Sequence, residues 1–186
     1  MGVGRYGGDV RVISGTAKGR PLKAPLPSTI RPTTDRVKES IFNILGSRGG
    51  VAGLDVVDLF CGSGGLGIEA LSRGARSVVF VDADPRAIAA VRSNVETTGL
   101  DGSAVRYLTT SAAGFSCPPC DLVLMDPPYD LTDIGGILDG LDAGTVVVES
   151  RTQVPETTRW ATTTERRYGT TLVTVLDLRP DTDENS

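Results

Sequence analysis

The 186 residues, 39% of them hydrophobic, suit a single domain with its own core, and no stretch approaches the ~20 apolar residues of a membrane span or the apolar segment of a secretory signal. Three cysteines and no histidine leave too few residues for a disulfide scaffold or for the about four ligands of a structural zinc site, so the expectation is a metal-free protein of the cytoplasm, with nothing calling for more than a monomer. The net charge of -4 is unevenly spread: residues 1–48 hold nine Lys/Arg against three Asp/Glu and the remainder ten against twenty, which excludes a uniformly basic nucleic-acid binder but allows a basic arm to neutralise phosphates from an acidic body.

In chain order, residues 10–26 hold Gly15, Gly19, Pro21 and Pro25 among alternating residues and predict a small extended hairpin arm. Residues 34–45 predict a helix with Val37, Ile41, Ile44 and Leu45 on one side. From Leu54 apolar runs alternate with amphipathic stretches, the pattern of a mostly parallel sheet covered by helices. Strands are expected at 54–60, 77–82, 105–108, 121–126 and 145–149, and helices at 65–73 and 133–141. Between the second and third strands, Asp84 and Pro85 supply an N-cap and an N1 proline for a helix that stops at Gly99. Segments 159–167 and 171–178 around Tyr168-Gly169 read as an antiparallel hairpin. The division expected is a basic arm over 1–30, one α/β domain over 31–179 and an acidic, frayed tail over 180–186. Cys117-Pro118-Pro119-Cys120 has redox-motif spacing, but two prolines ahead of an apolar run read as a turn holding two thiols.

The segment from Asp58 to Ala70 joins the first strand of the sheet to the next helix and contains Gly62, Gly64 and Gly67 in GxGxxG spacing. Glycines there permit a tight turn and let a ligand approach the backbone and the helix N-terminus. Asp82, twenty residues after Gly62, ends the second strand where an acid accepts hydrogen bonds from ribose hydroxyls. This suits NAD as well as S-adenosylmethionine. Asp58 shifts the balance, because a carboxylate at the mouth of the loop opposes a pyrophosphate but suits an ammonium and a sulfonium.

Asp126-Pro127-Pro128-Tyr129 terminates the fourth strand, which in a doubly wound sheet flanks the switch point with the first. The residue types suit methylation of an aromatic amine, a poor nucleophile whose lone pair is delocalised into its ring. Asp126 and the Pro127 carbonyl can accept its two N–H bonds, drawing the nitrogen toward tetrahedral geometry. Prolines stiffen the turn, and in-line placement of reactants can remove ~7–11 kcal/mol from a barrier. Tyr129 offers a face to an unstacked base, a contact worth ~1–3 kcal/mol.

Beyond these motifs, Arg11-Val-Ile-Ser-Gly-Thr-Ala-Lys-Gly-Arg20, Arg31-Pro-Thr-Thr-Asp-Arg-Val-Lys-Glu-Ser-Ile-Phe-Asn43 and Tyr168-Gly169-Thr170 resemble the RsmD family, the 16S rRNA guanine-N2 methyltransferases. The resemblance covers residues 10–178 and implies a Rossmann-like class I methyltransferase fold. That fold has a mostly parallel seven-stranded sheet, a C-terminal antiparallel hairpin and a small N-terminal β-hairpin arm. It implies S-adenosylmethionine as donor and 16S rRNA of the 30S subunit as partner. Matched by position, Asp58, Phe60, Gly62, Ser63, Gly64 and Gly67 would hold the methionine end of the donor, Asp82 and Ala83 its ribose, and Ser111 and Ala112 would face the adenine. Asp126, Pro127, Pro128 and Tyr129 would hold the guanine. The segment from Arg31, with Thr33, would lie across the cofactor pocket, and Arg11, Lys18, Arg20, Arg31 and Arg36 would grip RNA. Ser14 stands where the family arm usually has glycine. Ser111 stands where an aspartate is usual, so the adenine amine is met there without charge. The other readings of the same residues are a DNA adenine-N6 or cytosine-N4 methyltransferase, for which 186 residues supply no added recognition region, and a non-catalytic ribosome assembly factor.

Overall fold

The computed structural model describes residues 10–24, 34–102 and 104–180. Arg31, Thr33 and the tail beyond Pro180 lie outside the described residues.

The central sheet has seven strands: β3 (Asp55–Leu59), β4 (Ser77–Asp82), β5 (Ala104–Thr109), β6 (Cys120–Met125), β7 (Ala143–Ser150), β8 (Trp160–Tyr168) and β9 (Thr171–Leu178). Two short strands precede them, β1 (Val10–Arg11) and β2 (Pro21–Leu22), which pair antiparallel with each other. The sheet order is β5-β4-β3-β6-β7-β9-β8, with β5 through β7 parallel and β9 inserted antiparallel between β7 and β8. The chain enters at β3, builds outward to β5, then returns to lay β6 on the other side of β3. This reversal is the switch point, where the strand ends part and leave a crevice.

The inner strands read as continuous Val, Leu and Met because both faces are covered. Val56, Val78, Phe80, Leu122, Leu124 and Val147 face α1 (Asp35–Gly46), α2 (Gly65–Ser72) and α3 (Pro85–Thr98). The alternate residues, Val57, Leu59, Val81, Val123, Met125 and Val148, face a thinner layer. It consists of α4 (Ile134–Asp139), a 3-10 turn at Ala112–Gly114 and loops that carry Phe115, Cys117 and Val154. Trp160 closes this side, fully buried, with its Nε1–H donating to the Leu138 carbonyl at 2.8 Å.

Local signals set the helix starts. The Thr34 hydroxyl accepts from the Val37 N–H, and Asp84 accepts from the Arg86 N–H ahead of Pro85. The α3 helix ends on left-handed Gly99, as its sequence predicts. None of the helices among the described residues is long and apolar enough to cross a membrane.

The arm does not stand away from the body. Val10, Val12, Ala17 and Leu22 are buried in the three-helix face of the core. Both carboxylate oxygens of Glu69, on α2, accept backbone N–H bonds from Ile13 and Ser14, at 2.7 and 2.9 Å. Lys38 of α1 lies 3.8 Å from the same carboxylate and donates to the Arg11 carbonyl; both side chains are almost wholly buried. Burial pushes the Lys38 ammonium below its ordinary value, and Glu69 opposes that shift. Asn94 of α3 clasps the far end of the arm, accepting from the Lys23 N–H and donating to the Lys23 carbonyl, both at 2.9 Å.

Candidate functional site

The loop from β3 to α2 is built from strained and close-packed backbone. Phe60 adopts φ 63°, a left-handed conformation costly for a residue with a side chain. Gly62 and Gly64 follow at φ 53° and 79°. A Cβ on Gly62 would stand in open space, so the turn leaves room above it. At Gly67 a Cβ would lie 2.4 Å from the Phe80 ring and 2.9 Å from Asp58 Oδ2, so only glycine lets α2 approach the sheet this closely. The loop is tied down at each step: the Cys61 N–H donates to the Val81 carbonyl at 3.0 Å, and the Ser63 carbonyl accepts from Asn94 Nδ2 at 2.9 Å.

Asp58, near the end of β3, is 2% exposed, and its Oδ2 accepts the Gly67 N–H at 2.8 Å. The N-cap of α2, Gly64, has no side chain, so Asp58 supplies the carboxylate that the helix N-terminus favours. Burial pushes the Asp58 carboxyl well above its ordinary 3.8; the Gly67 bond opposes the shift, and repulsion from Asp126 and Asp82 adds to it.

Asp82 ends β4 with both oxygens occupied by backbone donors: Gly62 N–H on Oδ2 and Asp84 N–H on Oδ1, each at 2.9 Å. A carboxylate has about four lone-pair sites, so it retains the capacity to accept two hydroxyls. Ala83, next to it, is exposed. The Asp82 carbonyl accepts from Thr110 N–H at 3.0 Å, which places Ser111 and Ala112 beyond the neighbouring strand end. Ser111 is exposed, and its Oγ accepts the Gly114 N–H at 3.1 Å, capping the 3-10 turn.

Asp126 begins immediately after β6, in register beside the end of β3, where Leu59 pairs with Met125. Asp126 is half-buried, Pro127 buried, and Pro128 and Tyr129 exposed. The Pro128 carbonyl accepts from the Leu131 N–H at 3.0 Å, closing the turn. Tyr129 is 57% exposed, and the guanidinium of Arg151, which follows β7, lies 3.6 Å from its ring centroid.

Asp58, Phe60, the glycine loop, Asp82, Ala83, Ser111, Ala112 and the tetrapeptide thus share the C-terminal edge of the parallel strands. The expected RNA contacts sit on the arm and α1: Lys18, Arg20 and Arg36 are exposed, while Arg11 is paired with Asp35 at 2.9 Å. An open depression of about 730 Å³ near Asp139, Glu156 and Arg179 holds none of these residues and lies at the opposite end of the sheet. Sequence reasoning missed Arg151, Asn94 and the Lys38–Glu69 pair. Polar residues at apolar helix positions were the available signal for Lys38 and Asn94, whereas nothing near Arg151 in the sequence announces Tyr129.

Three carboxylates, from the ends of three adjacent strands, converge on one crevice. This donor set fits a ligand with ammonium and sulfonium charges and a ribose, and resists a pyrophosphate. The open space above Gly62 gives such a ligand access to the backbone.

The family described as Conserved hypothetical protein 95 matches residues 10–177. YlbH of Bacillus subtilis, named as a candidate rRNA methyltransferase, is 41% identical over 91% of this chain and all of its own length. Ribosomal RNA small subunit methyltransferase D of Haemophilus influenzae is 35% identical over 66% of this chain and 65% of its own. The structure of yhhF from Escherichia coli, named as a candidate methyltransferase, superposes with a TM-score of 0.78 at 28% identity, covering 92% of this chain and 98% of that one. The chain belongs to the RsmD family of S-adenosylmethionine-dependent methyltransferases.

Proposed function

We propose that this methyltransferase acts on ribosomal RNA and transfers one methyl group to the exocyclic N2 amine of a guanine in 16S rRNA. The observation that carries the reading is the place of Asp126-Pro127-Pro128-Tyr129: it leaves β6 beside the end of β3, next to the glycine loop. The names of the relatives support an rRNA substrate.

Asp58 and the loop from Phe60 to Gly67, with Ser63, would hold the methionine end of S-adenosylmethionine. Asp82 and Ala83 would hold the ribose, and Ser111 and Ala112 would face the adenine. The Ser111 Oγ takes the Gly114 N–H on one lone pair, which leaves the other to accept from the adenine amine. When bound, the donor supplies an electrophilic methyl group on a sulfonium. Asp126 and the Pro127 carbonyl accept the two N–H bonds of the guanine amine and direct its lone pair. The rigid turn holds both acceptors in place before the base arrives, so little is lost to reorganisation. The amine need not lose a proton before attack, so Asp126 acts by positioning. Tyr129 stacks on the base with one face while Arg151 covers the other. The basic arm supplies phosphate contacts through Lys18 and Arg20, and α1 through Arg36, with Arg31 outside the described residues.

The test is transfer of labelled methyl from S-adenosylmethionine to 30S subunits from a strain lacking the gene, followed by nucleoside analysis. N2-methylguanosine is the expected product. Label on duplex DNA but not on 30S subunits would replace the substrate, and donor binding without label on any nucleic acid would favour an assembly factor.

A further inference from the structure

Cys117 and Cys120 have no part in this site. Cys120 opens β6, pairs in register with Ala143 and sits at the end of the strand opposite Asp126. Cys117 is buried in the thin-face apolar cluster, and Cys120 is half-buried against it. Their sulfur atoms are 3.9 Å apart. A disulfide bond is about 2.05 Å long, so closure needs a sulfur displacement of about 2 Å. The two prolines between them fix φ near −65° at consecutive positions and remove two backbone donors, so the turn that presents the thiols to each other is stiff. The Cys120 N–H is anchored on the Asp142 carbonyl at 3.0 Å.

We propose that Cys117 and Cys120 are a redox-active dithiol that closes to an intramolecular disulfide by exchange with small-molecule disulfides. The Cys117 thiolate attacks one sulfur of the small disulfide, whose other sulfur leaves as a thiolate and takes a proton. The Cys120 thiol then gives up its proton and attacks the Cys117 sulfur, expelling the second small thiol. The protein loses two electrons and two protons, and one small disulfide becomes two thiols. Hydrogen bonding with Cys120 brings the Cys117 thiol down to about 7, which makes a thiolate available at neutral pH, while Cys120 is raised by the same contact. Cys61, on the other face and buried, is pushed well above its ordinary 9.0 and does not compete. The inference is independent of the identity of the methylated base.

The test exposes folded, full-length protein to oxidised glutathione and reads free thiols and intact mass. The expected result is loss of two of the three thiols, a mass lower by two hydrogens with no glutathione retained, and full reversal by reduced glutathione. C61S behaves like the wild type. C117S and C120S, checked for native circular dichroism, fail to close. The rate rises about tenfold from pH 6 to pH 8, as expected for an attacking thiol near 7, against about a hundredfold for one at 9. Three thiols persisting in the folded wild type, closure only under denaturing conditions, closure in C120S through Cys61, or disulfide-linked dimers would each overturn the assignment.

Discussion

The two loops that form the crevice are built on different principles. The glycine loop after β3 is closed and internally determined: its carboxylates accept backbone N–H bonds, Gly67 packs against Phe80, and Asn94 ties it to both α3 and the arm. The tetrapeptide after β6 has a stiff, partly buried start and an exposed end, where Tyr129 is held by one cation–π contact. The first is complete before any ligand arrives. The second presents the surface that, in the proposed function, the base would cover. A small molecule met by every turnover rewards a preformed pocket, whereas a base delivered by a large RNA brings its own scaffold and needs only the acceptors held rigid.

If that division is right, mutations on the two sides separate donor binding from transfer. Asp126→Ala should lower transfer to 30S subunits by at least about 100-fold, the scale of losing one preorganised polar contact to the reacting group. Calorimetric affinity for S-adenosylmethionine should change little. Gly67→Ala should act on the other loop, since its Cβ must displace Phe80 and Asp58; overpacking of this kind costs ~1–3 kcal/mol. Donor affinity and the melting temperature should fall together. Tyr129→Ala should reduce kcat/KM for 30S by about 5- to 150-fold, the equivalent of ~1–3 kcal/mol of stacking, with donor affinity intact.

Asp58 tests the cost of the preformed pocket through pH. Its folded-state pKa is raised, so the folded protein holds the proton more tightly than the unfolded chain, and ionisation above 3.8 destabilises the fold. The stability of ligand-free Asp58→Asn relative to wild type, by urea denaturation, should therefore increase with pH from about 3.8 upward. It should level off once Asp58 is ionised in the folded wild type. A difference independent of pH would mean that Asp58 is not strained by burial. Arg151→Ala should have the smallest effect, about 2- to 5-fold in KM for 30S, from loss of ~0.5–1 kcal/mol of exposed cation–π contact. A drop in donor affinity in this variant would join the two loops into one unit.

Much of this site is legible in the sequence because it depends on backbone chemistry. Left-handed turns and close helix–sheet contact at Gly62, Gly64 and Gly67 restrict residue type locally, and Asp82 and Asp126 stand at strand ends that the apolar runs delimit. The parallel direction of the inner strands follows from alternating strands and helices. Element ends fall within two residues of expectation, and where they shift hydrogen bonding rather than composition decides them: Phe60 turns left-handed and leaves β3, and α4 contracts to six residues.

Only the tertiary structure decided what the basic arm does. Composition marked it as an extension over the first thirty residues, yet its apolar residues Val10, Val12, Ala17 and Leu22 are packed into the core. It is fastened by Glu69, Ser72 and Asn94, residues distant in sequence whose roles exist only once α2 and α3 are in place. The same holds for the Lys38–Glu69 pair, for Arg151 over Tyr129 and for the facing sulfurs of Cys117 and Cys120. A local pattern can specify a turn, a cap or a strand because neighbouring residues share its geometry. A contact between side chains far apart in sequence depends on where the whole sheet has carried them.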